Sequence, residues 1–343
     1  MAPELSVIIP AFNAAETLGR CLAALQQQEG AAACEIIVVD DASADATAAI
    51  ARAAGVACLC QESNRGAAAA RNRGARSATA DLFLFVDADV ALKEHSLRNL
   101  LRFFEQRPEI SAAVGTYAAL SPRRDACSLY HNFFTYYHHD LSGEEVEWFW
   151  GAIGAVRRSA WEEVGGFDER YAGAAAEDMQ FGYELALRGR RIAYRRDLPG
   201  DHLHHFSLRS MLWNDYRKAV LGTKLYLTRK QPGRHHHGFS NPANAVALVA
   251  AGLFGLSFLG FLFGMVNRQE CLFPAFAPLL CLAVFLLAGR RFYSFLAERR
   301  GCFFLAQAVP LHLLSFLIIV AGTVMGLIGL ALGRPLQSKS PWL

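Results

Sequence analysis

Short apolar runs alternate with helical patterns from residue 5 to about residue 205. The apolar runs are rich in Val, Ile, Leu and Phe and have the length of buried strands, whereas the segments between them have helical spacing. The strands are predicted at 5–10, 35–40, 56–60 and 82–86, and the helices at 16–28, 45–54 and 66–78. This alternation predicts an α/β, Rossmann-like domain with βαβ crossovers and a mainly parallel sheet covered on both faces.

The pattern changes after residue 245, where long runs lack charged side chains. These runs cover residues 245–266, 272–289 and 305–332. The first would span about 33 Å as a helix, which is enough for the core of a bilayer. Because charges are absent over whole runs and not from one face alone, about three transmembrane helices are favoured over a soluble helical bundle.

Arginines are unevenly distributed between the predicted spans. The loop at 289–301 carries four arginines, whereas the loop at 267–271 carries one. The positive-inside rule therefore places the loop at 289–301, and with it the N-terminal domain, in the cytoplasm. The C-terminal tail, with Arg334 and Lys339, would then lie outside, in mild conflict with the same rule.

The segment between the two halves interleaves basic and aromatic residues at helical spacing over 206–230. This composition predicts an amphipathic helix in the headgroup layer, with a solvated helix packed on the globular domain as the alternative. The histidine triplet at 235–237 lacks a helical i, i+4 spacing and is interpreted as a solvated loop. The predicted domains are a catalytic domain, an interfacial helix with its linker, and a transmembrane domain: 1–205, 206–240 and 241–343.

Composition narrows the class of protein further. The chain is 53% hydrophobic with a net charge of only +3, so overall charge gives no support for a nucleic-acid partner. The eight cysteines form no C-x-x-C pair, which is typical of reduced cysteines and of a domain facing the cytoplasm. We expect a multi-pass protein of the bacterial inner (plasma) membrane with its catalytic domain in the cytoplasm.

Acidic residues cluster where predicted strands end. Asp40 and Asp41 close the second strand, and Asp87 and Asp89 follow the fourth. Ligands of open parallel sheets bind at the carboxyl ends of the strands. Two carboxylates on one side of an extended chain repel each other unless a cation or several donors lie between them. The structural alternative for D-x-D is a strand end followed by an Asp-rich turn.

Five motifs in this order resemble the family 2 glycosyltransferases of the GT-A fold. They are SVIIPAFNAAETL (6–18), IIVVDDASADAT (36–47), NRGAAAARNRGARSATADLFLFVDAD (64–89), GGFDER (165–170) and AEDMQFGYELALRG (176–189). Each motif alone is weak, but their order and spacing together are specific. The resemblance covers about residues 4–210 and implies an inverting transfer of a sugar from a nucleotide-sugar, such as a UDP- or GDP-sugar.

The resemblance also implies a role for each matching residue. A divalent ion, Mg²⁺ or Mn²⁺, would be bound by Asp87 and Asp89, with His202 as a third ligand or His204 in its place. Asp178 would be the general base that deprotonates the acceptor hydroxyl, and Glu177 its supporting neighbour. Both also fit a structural role, since acids stabilise a helix N-terminus. The implied donor-side residues are Pro10, Phe12, Asn13, Asp41, Arg65, Gly66, Arg71, Asp87 and Ala88.

The acceptor side is less defined. Trp150 and Gly151 resemble the floor of the acceptor site, while the aromatic run at 130–139 either flanks the acceptor or belongs to the core. The Q-x-x-R-W motif of processive family members is absent from the sequence, which argues against polymer synthesis. A base favours a hydroxyl acceptor on a lipid or lipid-linked saccharide. The alternatives are a polyprenyl-phosphate glycosyltransferase and, less favoured, a processive polysaccharide synthase or a catalytically silent membrane scaffold.

Overall fold

The computed structural model describes residues 3–30, 33–171, 176–228, 241–267 and 276–333. The strands are β1 (Leu5–Ala11), β2 (Cys34–Asp40), β3 (Ala57–Cys60), β4 (Leu82–Val86), β5 (Val90–Leu92), β6 (Ile110–Tyr117), β7 (Glu145–Val146), β8 (Ile153–Arg157) and β9 (Arg191–His202). The helices are α1 (Leu18–Gln26), α2 (Thr47–Ala53), α3 (Ala67–Ser77), α4 (Ser96–Gln106), α5 (Ala126–Asp140), α6 (Arg158–Val164), α7 (Glu177–Leu187), α8 (Leu208–Thr228), α9 (Pro242–Asn267) and α10 (Phe276–Ala331). The four predicted strands and three predicted helices of the first ninety residues are confirmed.

One sheet contains all of these strands, in the order β3-β2-β1-β4-β8-β6-β9-β5, with β7 paired to β9. The half formed by β3, β2, β1 and β4 is parallel, as predicted. Its strands are connected by α1, α2 and α3, which are the crossovers that parallel pairing requires.

The second half of the sheet corrects the prediction of a mainly parallel sheet. β8 lies antiparallel between β4 and β6, and β9 pairs antiparallel with both β5 and β7. Within this half, β6 with β9 is a parallel pair. The sheet is therefore mixed. The sequence pattern cannot separate the two arrangements here, because a strand buried on both faces is a continuous apolar run in either direction.

Two buried clusters cover the two faces of the sheet. On one face α1 and α4 pack on the strands through Leu22 and Leu100, and on the other α3, α6 and α7 pack around Phe83 and Phe181. Helix α3 approaches β1 closely at Gly74, where a Cβ atom would lie 2.4 Å from Cγ2 of Ile8. The glycine therefore sets the distance between this helix and the strands that end in the acidic residues.

Helix α8 confirms the predicted helix between the two halves, and one of its faces is covered. It runs beside the last part of α10, where Gly326 lies so close that a Cβ atom would be 2.9 Å from the carbonyl oxygen of Val220. Elsewhere on the helix Trp213 and Tyr226 are about half exposed, at 46% and 56%. These exposed aromatic residues keep the interfacial prediction open.

Two described helices are long and apolar enough to cross a membrane, Pro242–Val266 and Phe276–Ala331. The three predicted spans are therefore not reproduced as three separate helices: the described helical parts of the second and third, 276–289 and 305–331, both belong to α10, and 272–275 lie outside the described residues. This helix is interrupted at Gly301, whose backbone is not helical (φ 75°, ψ 176°). The predicted loop at 289–301 is thus helical up to that glycine.

The two parts of α10 lie side by side. The hydroxyl of Tyr293 is 2.9 Å from Nδ1 of His312, and the rings of Phe285 and Phe316 are 5.6 Å apart. Both pairs join residues on opposite sides of Gly301. The outer surface of these helices is apolar and open, with Val266 80% and Phe303 81% exposed. The tail beyond residue 333, most of the 267–271 loop and the histidine triplet at 235–237 lie outside the described residues.

Candidate active site

Asp87 and Asp89 lie at the carboxyl end of β4, at one edge of a cleft. Strand β5 begins at Val90, directly across from His202 of β9, so the turn between β4 and β5 lies beside the end of β9. The amide of Leu203 donates to the carbonyl oxygen of Asp89 over 2.7 Å, which fixes this proximity through the backbone. The structure therefore brings together the predicted acids and the predicted histidine.

Both candidate histidines face the same carboxylate oxygen. Oδ2 of Asp89 is 3.6 Å from Nε2 of His202 and 3.7 Å from Nδ1 of His204. His202 is buried and stacks on Tyr117 with ring centroids 4.2 Å apart, whereas the side chain of His204 is 45% exposed. Burial raises the pKa of Asp89, but the neighbouring His202, together with His204, outweighs the burial and lowers that pKa below its usual value.

A carboxylate oxygen together with imidazole nitrogens can provide part of the ligand set of a divalent ion such as Mn²⁺ or Mg²⁺. The oxygen of Asp89 and the facing histidine nitrogens provide such donors, at separations too long for direct hydrogen bonds. Asp87 instead directs an oxygen to a guanidinium group. Within the described residues, no group of three or more acidic, cysteine or histidine side chains has the arrangement of a preformed metal centre.

Arg71 of α3 connects the two acidic motifs. Its Nη2 donates to Asp87 over 2.8 Å and its Nη1 donates to Glu177 over 2.9 Å, with the Arg71 and Glu177 side chains each only 2% exposed. Gly151 leaves room for this group, because a Cβ atom there would lie 2.6 Å from Cζ of Arg71. The arginine predicted to bind the donor therefore links the two motifs in this structure.

Glu177 and Asp178 begin α7, but they have different environments. Glu177 is buried against Arg71, and its second oxygen accepts from the amide of Ala176 over 3.1 Å. Asp178 accepts from the amides of Gly151, over 3.1 Å, and Met179, over 2.8 Å. Burial and the charge of Glu177 raise the pKa of Asp178 to about 6, against the opposing charge of Arg71. A carboxylate with such a pKa is suited to general base catalysis near neutral pH.

Asp41 lies at the end of β2 and holds the loop before α3. Its oxygens accept from the amides of Arg65, over 2.8 Å, and Gly66, over 2.7 Å, and from the side chain of Gln61, over 2.6 Å. The backbone amides of these two predicted donor-side residues are thus bonded to a carboxylate. A carboxylate has about four acceptor positions, so one remains for a nucleobase N–H.

Three further predicted donor residues lie at the end of β1, whereas Ala88 is buried between Asp87 and Asp89 after β4. Phe12 is 50% exposed, while Pro10 is buried within β1. Asn13 has a left-handed backbone (φ 49°), and its side chain accepts from the amide of Ala44 over 2.9 Å. Asn13 therefore acts locally by joining two loops, and the open ring of Phe12 offers a surface on which a base can stack.

The side chain of Arg65 pairs with an acid that the sequence analysis did not single out. Its Nη2 lies 2.7 Å from Glu169, which also accepts from Arg76 over 2.9 Å. Glu169 belongs to the GGFDER motif (165–170), and its place in a motif that matches the family was the signal that could have identified it. In this structure the Arg65 side chain is therefore paired with an acid.

A cavity of about 370 Å³ opens between the acids and the helices α5, α8 and α10. Trp150 lies in its wall with Tyr117 packed against it, the ring centroids being 4.7 Å apart. The aromatic run of α5 has both predicted roles, since His131 lines the cavity while Phe133 is buried against Phe304. Asp215, Lys218 and Ser315 also line this cavity, and no motif in the sequence indicated this.

Comparisons with known proteins agree with this architecture. Residues 6–165 match the family model described as glycosyl transferase family 2. Validoxylamine A glucosyltransferase of Streptomyces hygroscopicus subsp. jinggangensis (strain 5008) is 28% identical over 250 residues, covering 62% of this chain and 59% of that protein. Succinoglycan biosynthesis protein ExoO of Rhizobium meliloti (strain 1021) is 33% identical over 102 residues, 29% of each chain.

A solved structure supports the fold. The mannosyltransferase PcManGT from Pyrobaculum calidifontis, in complex with GDP-Man and Mn²⁺, is superposed with a TM-score of 0.58 at 17% identity, covering 98% of this chain and 89% of that one. The chain spans less than two thirds of the length of the curated relatives described above. Residues 6–165 are thus similar to the glycosyl transferase family 2 model, within a mixed α/β fold like that of the solved mannosyltransferase.

Proposed function

We propose that this protein is a membrane-bound inverting glycosyltransferase that moves a sugar from a nucleotide-sugar to a hydroxyl of a lipid or lipid-linked acceptor. The observation that carries the proposal is that Asp87 from β4 and Asp178 from α7 line the same cavity. An acid suited to the donor side and a base suited to the acceptor side thus face one space. The family match over 6–165 supports a nucleotide-sugar donor.

On the donor side, a divalent ion would be held by Asp89 with His202 or His204, and by Asp87 once its oxygen is released from Arg71. Such an ion neutralises the charge of the leaving diphosphate. The presence of Mn²⁺ with a GDP-sugar in the solved mannosyltransferase supports this assignment. Asp41 and the exposed ring of Phe12 would hold the nucleoside.

On the acceptor side, Asp178 acts as the base and Glu177 does not. Glu177 is bonded to Arg71, whereas Asp178 receives two backbone amides and lines the cavity where an acceptor hydroxyl would lie. A hydroxyl must lose a proton during transfer, while an ionised polyprenyl phosphate has none to lose. The raised pKa of Asp178, about 6, therefore supports a hydroxyl acceptor.

Membrane attachment is supported by the two long apolar helices and by their open outer surface. The cavity reaches α10, so an acceptor attached to a lipid would approach Asp178 from the side of these helices. The multi-pass topology with a cytoplasmic catalytic domain, in the bacterial inner membrane, belongs to the same proposal.

A donor screen tests the function directly. The protein in detergent is incubated with each UDP- and GDP-sugar and Mn²⁺ or Mg²⁺, and nucleotide release is measured with and without membrane lipid extract. We expect metal-dependent release that the extract stimulates, with a glycosylated lipid detected by mass spectrometry. An acid-labile product would identify a sugar phosphodiester and so the polyprenyl-phosphate alternative. If every donor is left intact, the enzyme proposal is wrong and a scaffold role takes its place.

A further inference from the structure

The cavity has a second polar end, away from the catalytic acids. At that end Ser315 of α10 donates to Oδ2 of Asp215 of α8 over 2.6 Å, and Lys218 follows one helical turn later. Ser315 is 2% exposed. These groups lie in the cavity wall where the catalytic domain meets α10.

Packing alone does not account for polar groups at this position. Burying a carboxylate or hydroxyl is costly unless it is hydrogen-bonded, and apolar side chains would cover α10 at lower cost. The neighbouring wall also contains His131, which is 9% exposed and whose Nδ1 has no hydrogen-bond partner within the described residues. Its other ring nitrogen is 3.4 Å from Asn214 of α8. Donors and acceptors therefore surround this end of the cavity.

The charges along the cavity indicate what it admits. Among the described residues that line it, four are carboxylates and one is a lysine: Asp87, Glu177, Asp178, Asp215 and Lys218. Lys218 lies on the same helix face as Asp215, so the negative charge of Asp215 offsets the positive charge of Lys218. Even with Arg71 paired to Asp87 and Glu177, an anionic group would meet more negative than positive charge, whereas hydroxyl groups can both donate to the carboxylates and accept from the lysine.

We propose that Asp215, Lys218 and Ser315 form a second acceptor subsite, which binds an uncharged, hydroxyl-rich part of the acceptor that does not react. The subsite rests on the proposed glycosyltransferase function. It binds one part of the acceptor while the reacting hydroxyl of the same molecule faces Asp178. The volume of about 370 Å³ is within the range of small-molecule sites, which suits a sugar or polyol head group. The lipid part of the acceptor remains on the side of α10.

The experiment separates membrane lipids by anion exchange into neutral glycolipid and anionic fractions, and uses each as the acceptor. The wild-type protein is expected to glycosylate the neutral fraction. The Asp215→Asn variant is expected to raise the amount of this fraction needed for half-maximal transfer by about tenfold, the loss typical of a hydrogen bond to a charged group. Ser315→Ala is expected to raise it less, because the carboxylate remains.

Metal-dependent hydrolysis of the donor in the absence of acceptor is measured in parallel. This hydrolysis reports on the donor side alone, so its loss in Asp215→Asn would show that the variant disturbs more than acceptor binding. Asp81→Asn, a change of the same chemistry at a fully exposed position, is the matched control and should change nothing. Unfolding temperature identifies any variant that merely folds poorly.

Two outcomes would overturn the subsite. Transfer confined to the anionic fraction would show that the cavity accepts a charged head group, and an unchanged half-maximal concentration in both α8 and α10 variants would show that these residues do not contact the acceptor. The proposed function fails by a different result, the absence of donor hydrolysis and of transfer in the wild-type protein.

Discussion

The two acidic motifs of the site differ in their surroundings although their chemistry is the same. Asp87 and Asp89 follow a strand and retain side chains about one third exposed, at 33% and 29%. Glu177 and Asp178 begin a helix, and Glu177 is buried against Arg71. In the first motif Asp89 faces histidine nitrogens, whereas in the second motif the oxygens of Asp178 accept from backbone amides.

This difference shows how carboxylates of one site acquire separate roles. His202 lowers the pKa of Asp89 despite its burial, so this group stays ionised and available to a cation. Burial and the neighbouring Glu177 raise the pKa of Asp178 to about 6, so this group can take up a proton during turnover. Active sites commonly give two carboxylates different pKa values so that the two groups can have different roles.

Replacing the proposed base should have the largest effect. Asp178→Asn keeps the shape of the side chain but cannot take the proton, so transfer to a hydroxyl acceptor should fall about 10²- to 10⁴-fold. Product formation with lipid extract measures this, while nucleotide binding by calorimetry should stay unchanged. Full turnover in this variant with intact metal binding would exclude Asp178 as the base.

Replacing the acid on the proposed metal side should have the second-largest effect. Asp89→Asn removes the charge that faces both histidines, and metal-dependent nucleotide release should fall about 10²- to 10³-fold because the leaving diphosphate loses its stabilisation. The dependence of rate on Mn²⁺ concentration is the measurement, with Asp81→Asn as the control. An unchanged Mn²⁺ dependence would place the ion elsewhere and remove the contrast between the two motifs.

Disturbing the link between the motifs should have an intermediate effect. Gly151→Ala places a methyl group 2.6 Å from Cζ of Arg71, so Arg71 or the turn before β8 must move. A displacement of about 1 Å is expected to lower kcat about tenfold to 10²-fold. Gly143→Ala, where a Cβ atom would be 3.7 Å from its nearest neighbour, is the matched control. Equal kinetics for both variants would show that the Arg71 position is unimportant for turnover.

The smallest effect should be a change in pH dependence. The wild-type kcat/KM should fall as pH drops through about 6, because Asp178 becomes protonated. Glu177→Gln removes the charge that raises this pKa, so the acidic limb should move to lower pH. A pH profile of initial rates measures the shift. A limb that stays in place, or moves upward, would mean that Glu177 does not tune Asp178.

Local pattern was sufficient for the elements of the parallel half of the sheet. The strands that end at Asp40 and Val86 are single apolar runs bounded by polar residues, and their helices have regular spacing. The motifs at 64–89 and 176–189 likewise located most candidate site residues. Strand direction in the second half could not be predicted, since pairing of β8 between β4 and β6 joins residues far apart in the chain.

The sequence by itself determined the alternation of strands and helices, the acids at strand ends and the apolar character of the last hundred residues, because each depends on local periodicity. Only the tertiary structure decided that Arg71 lies between Asp87 and Glu177, and that Asp215 and Ser315 close the far end of the cavity. These contacts join residues distant in sequence. Their partners are selected by packing and burial, which no local pattern contains.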